Sequence, residues 1–339
     1  MYDSDTSVVT DALKTANATV FTDETTNTND TKVSFDTGTP DADGNVTVTA
    51  GTEVVFVNSS DTEPTVVKPP VNAPVVIFQG KGGVVTTLND GVTVPAGDQS
   101  RVDRVVVGSA GNDKITVVDA KNTQIILGSG NSTVATGSGV DTVEAGLGNS
   151  SIVGGSGDYA VVKLAGAATN YTVTVNEGRA IVTNNTTTKV TDISKIQYVQ
   201  LDSGKALIFA KDSVEAAIST LYQTAFGRTA EAGGLDYWFD LGRAGATMKQ
   251  IADAFTHSAE FVAQAALSDI DFVNGLYQNT FGRAGEESGV AYWTDALAHG
   301  ATRADLINSF SQIGASNIAG TIHTEAQVVG NVTIVTGII

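Results

Sequence analysis

The sequence predicts a multidomain β + α protein: an N-terminal β-rich region, a parallel β-roll or solenoid with degenerate nine-residue repeats, then an all-α domain of two duplicated helical modules. Three observations carry this. From residue 127 to 162 a nine-residue period, LGSGNSTVA TGSGVDTVE AGLGNSSIV GGSGDYAVV, puts Gly at the second and fourth places and an aliphatic residue at the eighth. Ahead of it lie short alternating or β-branched stretches bounded by turn residues, the pattern of strands. Beyond Asp212 the apolar spacing changes from 2 to about 3.6, and the stretch Leu221 to Trp238 returns as Leu276 to Trp293.

Composition agrees. Of 339 residues 41% are hydrophobic, enough for a real core, and only 17% are charged, which favours pleated strands and tight turns over charged helices. The net charge of -18 repels phosphates, so nucleic acid is not an expected partner, while calcium is the ligand that an acidic surface leaves open. There are no cysteines, which excludes disulfides, thiol catalysis and cysteine-bound zinc. The opening MYDSDTSVVTDALKTANATVF has neither a basic n-region nor an apolar h-region, and no run of about 18 apolar residues could span a membrane. The expectation is a chain that is not membrane-spanning and is exported without an N-terminal signal peptide, if it is exported.

Taken in order, residues 1–31 read as a polar acidic arm with one short helix around Val8 to Ala16. Residues 32–75 form a β-strand region: KVSFDTG, NVTVTAG after the turn PDADGN, then EVVFVNSS. PDADGN opens like a calcium loop, but Thr52 stands where a bidentate Glu is required, so a hairpin turn is expected. FQGKGGVV lacks the Lys-Ser/Thr ending of a phosphate loop and reads as a Gly-rich turn. Residues 76–166 make the β-roll, and 167–212 close it with two hairpins, one around a Glu-Gly turn and one around Asp-Ser-Gly. Helices fill 213–322, with Val214, Ile218, Leu221, Tyr222, Ala225 and Phe226 on one face. Asp212 with Glu215 makes a capping-box-like start, and Thr247, Ser258 and Thr302 are further N-caps. The last stretch, 323–339, is strand-like again.

Physically, Gly-x-Gly followed by one inward aliphatic suits a coil of turn, short strand, turn and strand. The glycines are expected to take backbone angles closed to other residues, and Val134, Val143, Ile152 and Val161 to stack into the core. GSAGNDKIT, from Gly108 to Thr116, is an earlier member. The pattern resembles the calcium-binding repeats of RTX-type proteins, which leave by type I secretion. In that family the sixth-place Asp of units stacked two apart clamps the ion. Here the sixth places are Asp113, Ser132, Asp141, Ser150 and Tyr159. Only Asp113 and Asp141 keep the acid, on different sides of the roll, so they are partial calcium candidates, and a scaffold held by hydrogen bonds and aliphatic stacking is the favoured reading.

The helical duplication keeps Leu221, Tyr222, Phe226, Gly227, Arg228, Gly234, Tyr237 and Trp238, and again Leu276, Tyr277, Phe281, Gly282, Arg283, Gly289, Tyr292 and Trp293. It resembles the DUF4214 module of secreted bacterial proteins, with Glu231 and Glu286 or Glu287 at the place of the usual Asp. Arg228 with Glu231, and Arg283 with Glu286, are expected to form ion pairs that fix the turn. The pairs Tyr237-Trp238 and Tyr292-Trp293 are expected as core anchors between helices.

As a whole, the chain from about Arg104 onward resembles the S-layer-like proteins of Gram-negative bacteria, including the nanopodin type. That resemblance implies type I secretion, an extracellular or cell-surface location, and self-assembly. The expected function is a structural, non-enzymatic subunit of a surface layer, sheath or tubular coat, whose partner is itself, with outer-membrane polysaccharide as a second partner. The alternative is a secreted adhesin or glycan-binding protein. His257, His299 and His323 stand apart, no Ser elbow has a His and Asp behind it, and no catalytic residue is assigned. The tail NVTIVTGII is expected to act as part of the export signal and as an added strand.

Overall fold

The computed structural model describes residues 33–95, 101–157, 159–176, 179–263, 267–316, 327–329 and 332–336. The expected arm at 1–31, its short helix and His323 lie outside them. Two compact units result. One gathers the chain up to Ala165 with Asn170–Thr172 and Arg179–Ile196; the other gathers Gly166–Thr169, Val173–Gly178 and the chain from Gln197.

In the first unit short strands alternate between two sheets. They are β1 (Phe35–Gly38), β2 (Val54–Asn58), β3 (Thr65–Val67), β4 (Val75–Gln79), β5 (Val84–Leu88), β6 (Arg104–Val107), β7 (Lys114–Val117), β8 (Thr123–Ile126), β9 (Ser132–Ala135), β10 (Asp141–Glu144), β11 (Ser150–Val153) and β12 (Ala160–Leu164). β13 (Tyr171–Asn176), most of which belongs to the second unit, β14 (Arg179–Asn184) and β15 (Val190–Ser194) follow. The first sheet runs β1-β2-β4-β6-β8-β10-β12, every pair parallel. The second runs β3-β5-β7-β9-β11-β15, also parallel, with β14 antiparallel on β15.

The register shows how the chain winds. Ser150 pairs with Ser132, and Val143 with Ile125, a step of 18 residues or two nine-residue units per turn. The step widens where material is inserted: Val75 pairs with Val105, and Ser150 on its other side with Thr191. Between β10 and β12 the step is 19, since Asp141 pairs with Ala160. That one extra residue corrects the expected stack: Val143 lies beside Val162, and Val161 lies beside half-exposed Thr142 on the other face. The inward row is therefore Val106, Ile125, Val143 and Val162, facing Ile115, Val134, Ile152 and Ile193 from the second sheet, each fully buried. Burying side chains of this size stabilises by roughly 1.5–3 kcal/mol apiece. The other face of the first sheet adds an apolar cluster of Val54, Phe56, Val75, Ile77, Val105, Val107 and Ile126, which is why β2, β4 and β6 read as unbroken apolar runs.

PDADGN does not make a hairpin. Asp41 accepts hydrogen bonds from the backbone N–H of Asp43 and Asn45, so the turn forms. The chain then continues in the same sense: Asn45 bridges Lys68 in parallel, and β1 pairs in parallel with β2. The expected strand region thus shares its sheets with the repeats.

In the second unit β16 (Tyr198–Leu201) and β17 (Ala206–Ala210) form an antiparallel hairpin around Asp202–Gly204. β18 (Gln327–Val329) and β19 (Val332–Thr336) come from the C-terminal stretch, and β19 lies parallel to β17. Eight helices lie between them: α1 (Ser213–Ser219), α2 (Leu221–Phe226), α3 (Ala232–Arg243), α4 (Met248–Thr256), α5 (Ala259–Ala263), α6 (Asp269–Phe281), α7 (Glu287–Ala298) and α8 (Arg303–Ser316), counted among the described residues. Asp212 caps α1 through the N–H of Val214 and Glu215, and Thr247 with Gln250 closes a full capping box on α4. Glu215 departs from the box pattern by accepting from the N–H of Lys211. Gly227 and Gly282 end α2 and α6 in the left-handed region, at φ 70 and 66, which only glycine enters cheaply. The duplication is visible in the packing, because α2 rests on α6 and α4 on α8, each on its own counterpart. Gln223 donates to the Asn279 carbonyl at 2.8 Å and Asn279 to that of Thr224 at 3.2 Å.

Candidate functional site

Asp113 lies just ahead of β7 and Asp141 opens β10, so the two acids belong to different sheets. Both are buried. The Asp113 carboxylate accepts from the N–H of Val84 (2.9 Å) and Ser109 (2.8 Å) and from the Ser109 hydroxyl (2.5 Å). Asp141 accepts from the N–H of Thr123 (2.9 Å) and Gly137 (2.7 Å). Each acid therefore ties its own turn to the preceding turn of the coil. Burial pushes the Asp141 carboxyl up to about 6 against those hydrogen bonds, and pushes Asp113 up in the same way. At least one N–H points at each oxygen of both groups, so these hydrogen bonds tie the carboxylates into the coil while leaving further lone pairs on both. Among the described residues no three His, Asp or Glu side chains gather as a metal site.

The fifth place of the repeat, which sequence reasoning passed over, carries the longer connection. Asn112 Oδ1 accepts from Asn131 N–H, Asn131 Oδ1 from Asn149 N–H, and Asn149 Oδ1 from Val190 N–H, at 2.8, 2.9 and 3.0 Å. The signal was present as Asn at a fixed place in three units, but in an Asn- and Thr-rich chain it read as turn composition. The repeat glycines also act differently from expectation. Their backbones avoid the left-handed region. A Cβ on Gly128 would strike the Ser109 carbonyl, and one on Gly146 the Gly128 carbonyl, so glycine is required by close backbone stacking at the corner.

A buried ion cluster was likewise missed. Arg104 grips Asp119 bidentately (2.9 Å twice), reaches Asp90 at 3.3 Å and Thr123 at 3.0 Å, while Lys121 holds Asp90 at 2.6 Å. Burial alone would raise Asp119, but Arg104 and two backbone N–H groups bring it below the usual carboxylate range. The acids and bases are far apart in sequence, so no motif announced them. The cluster sits where the step between turns widens, and it joins the insertion to the coil.

In the helical modules Arg228 bonds Glu231 through Nη1 (2.9 Å) and takes Glu260 side-on through Nε (3.0 Å) and Nη2 (2.7 Å). Its guanidinium lies 4.9 Å from the Tyr222 ring centre. Arg283 bonds Glu286 at 2.6 Å and lies 5.7 Å from the Tyr277 and Phe281 rings. Trp238 is buried against Phe255, and its indole N–H points to Tyr222 at 3.4 Å. Trp293 is only half-buried, against Phe310. The expectation for the neighbouring tyrosines is corrected: Tyr237 and Tyr292 are 58% and 66% exposed and touch their tryptophans edge-on from outside. Position i next to a buried i+1 on a helix faces roughly 100° away, which spacing alone should have flagged. The core tyrosine of the second module is Tyr277. His257 and His299 end α4 and α7 with their rings against the carbonyls of Asp253 and Asp295.

No helix among the described residues is long and apolar enough to cross a membrane. Residues 209–265 and 263–314 each match the family model described as Domain of unknown function (DUF4214), so the duplicated helical part is similar to that family. Neither the curated proteins nor the solved structures give a match.

Proposed function

We propose that this chain is a structural, non-enzymatic subunit that assembles with copies of itself into a surface layer, sheath or tubular coat. One observation supports the reading above others. The outer side of the second sheet carries, in register, Val66, Val85, Lys114, Thr133, Ser151 and Asp192, a flat row of β-branched and small side chains. In a chain of net charge -18 this row holds one Lys and one Asp, the Asp paired with Arg179 of the neighbouring strand at 2.7 Å, so copies can bring it together without the repulsion that the rest of the surface imposes. Val66 and Val85 stand 57% and 37% exposed there.

The RTX-like period, the DUF4214-like modules and the likeness to S-layer proteins add export by type I secretion to this proposal. The proposed assembly does not invoke calcium. Negative-stain images of the purified protein, with calcium and with chelator, should show sheets, tubes or filaments in both; dispersed single particles at every concentration would sink the reading. Deleting residues 326–339 should block export, and normal secretion of that truncation would refute the export role.

A second reading is favoured by the exposed rings of Tyr237 and Tyr292, each a single aromatic face on which a sugar ring can stack. Retention on surface polysaccharide that disappears on Tyr292→Ala, with the fold intact, would shift the assignment to a glycan-binding module.

A further inference from the structure

Arg228 and Arg283 occupy the same place in the two modules, yet they are served differently. Both rest on a pair of aromatic rings and both give Nη1 to the acid three residues on. Arg228 also seats Glu260 across its Nε and Nη2 edge. Among the described residues no carboxylate meets that edge of Arg283, whose side chain is 51% exposed against 36% for Arg228. The cause lies in the helices. In the first module α4 stops at Thr256 and α5 starts at Ala259, which brings Glu260 round to the arginine. In the second, α8 runs unbroken to Ser316, and the residue at the same offset is Ala315.

We propose that the Nε and Nη2 edge of Arg283 is a carboxylate-binding site filled by an Asp or Glu of a second copy of this chain. The inference rests on the self-assembly reading and names one of its contacts. A guanidinium edge fits a carboxylate with two parallel hydrogen bonds, as Arg228 does with Glu260 in the same molecule. The chain carries 37 acidic against 19 basic residues, so a second copy presents carboxylates in excess. Since most of that surface repels its like, a cation that meets no second acid among the described residues marks where approach is favourable. Such a pair fits an isologous dimer, in which it forms twice, as well as a head-to-tail contact that propagates.

The test uses the full chain, Arg283→Ala, Arg283→Lys and Glu260→Ala, each checked for fold by circular dichroism and followed by sedimentation velocity over a concentration series at low and high salt. Arg283→Ala should weaken association at least about tenfold at low salt, the loss of a charge-assisted bidentate pair. Arg283→Lys should not restore it, because an ammonium has no fork. Glu260→Ala, which frees the same edge on Arg228, should associate at least as well as the parent. If the parent assembles and Arg283→Ala assembles equally, this proposal falls and the assembly reading stands. A parent that remains monomeric removes both. Unchanged assembly of Arg283→Ala with lost retention on polygalacturonate would overturn the second-copy assignment in favour of an acidic polysaccharide.

Discussion

Asp141→Asn should make the first unit less sensitive to pH, and the size of the effect follows from the site. In the folded chain the Asp141 carboxyl is fully buried and titrates at about 6, against 3.8 for the free group. A folded value above the unfolded one means that the protonated form is favoured by folding. The stability from this group is therefore complete below about 3.8 and is lost as pH rises through about 6. At about 1.4 kcal/mol for each tenfold change in proton affinity, the rise amounts to about 3 kcal/mol, of which about 2 falls between pH of roughly 4.5 and 7.5. Asn keeps one acceptor for the Thr123 N–H but turns its amide towards Gly137, a loss of about 1 kcal/mol that does not vary with pH. Urea unfolding of parent and variant, followed by the β signal in circular dichroism at both pH values, isolates this contribution. The parent should lose about 2 kcal/mol more than Asp141→Asn on going from the lower to the higher pH. Equal pH dependence in the two proteins would refute the claim that Asp141 is the buried titrating group.

Other substitutions test the remaining parts. Gly146→Ala, which sets a methyl on the Gly128 carbonyl, should cost about 1–3 kcal/mol or force the turns apart, read by urea midpoint. Asn131→Ala removes the acceptor for the Asn149 N–H and should cost about 1 kcal/mol, with faster hydrogen exchange at that amide. Arg104→Met strands Asp119 in the interior, while Lys121 keeps Asp90, and should cost about 3–5 kcal/mol by the same unfolding assay. Trp238→Ala should cost about 3–5 kcal/mol, and Trp293→Ala clearly less, when the helical signal is followed on heating.

Much of the architecture was legible because it rests on periodicity. The nine-residue spacing carried the parallel strands, and the 55-residue echo carried the paired helices down to their glycine caps. What failed depended on register or on distance in sequence. One extra residue before β12 moved the core position from Val161 to Val162, which no period can show from inside a single unit. PDADGN has the composition of a hairpin turn, but parallel partners lie 19 or more residues away and leave no local trace. The hydrogen-bonding roles of Asp113 and Asp141 were not legible, because their partners Val84 and Thr123 lie 29 and 18 residues back and meet them only across turns. Arg104, Asp119, Asp90 and Lys121 meet only once the chain has wound, so no motif could bring them together.

A turn of 18 residues that repeats the same corner also makes the coil a unit of length that evolution can count in. Each whole turn gained or lost changes the stack by about 4.8 Å and leaves every other pairing as it was, and steps of 19 show that a corner also absorbs one extra residue while the inward row is kept. Long detours such as those between β5 and β6 or between β12 and β15 are tolerated for the same reason: they leave and rejoin at corners without disturbing the count. Homologous chains should then differ in this region by whole turns or by corner loops, so that the spacing between whatever flanks the coil is adjusted in fixed increments.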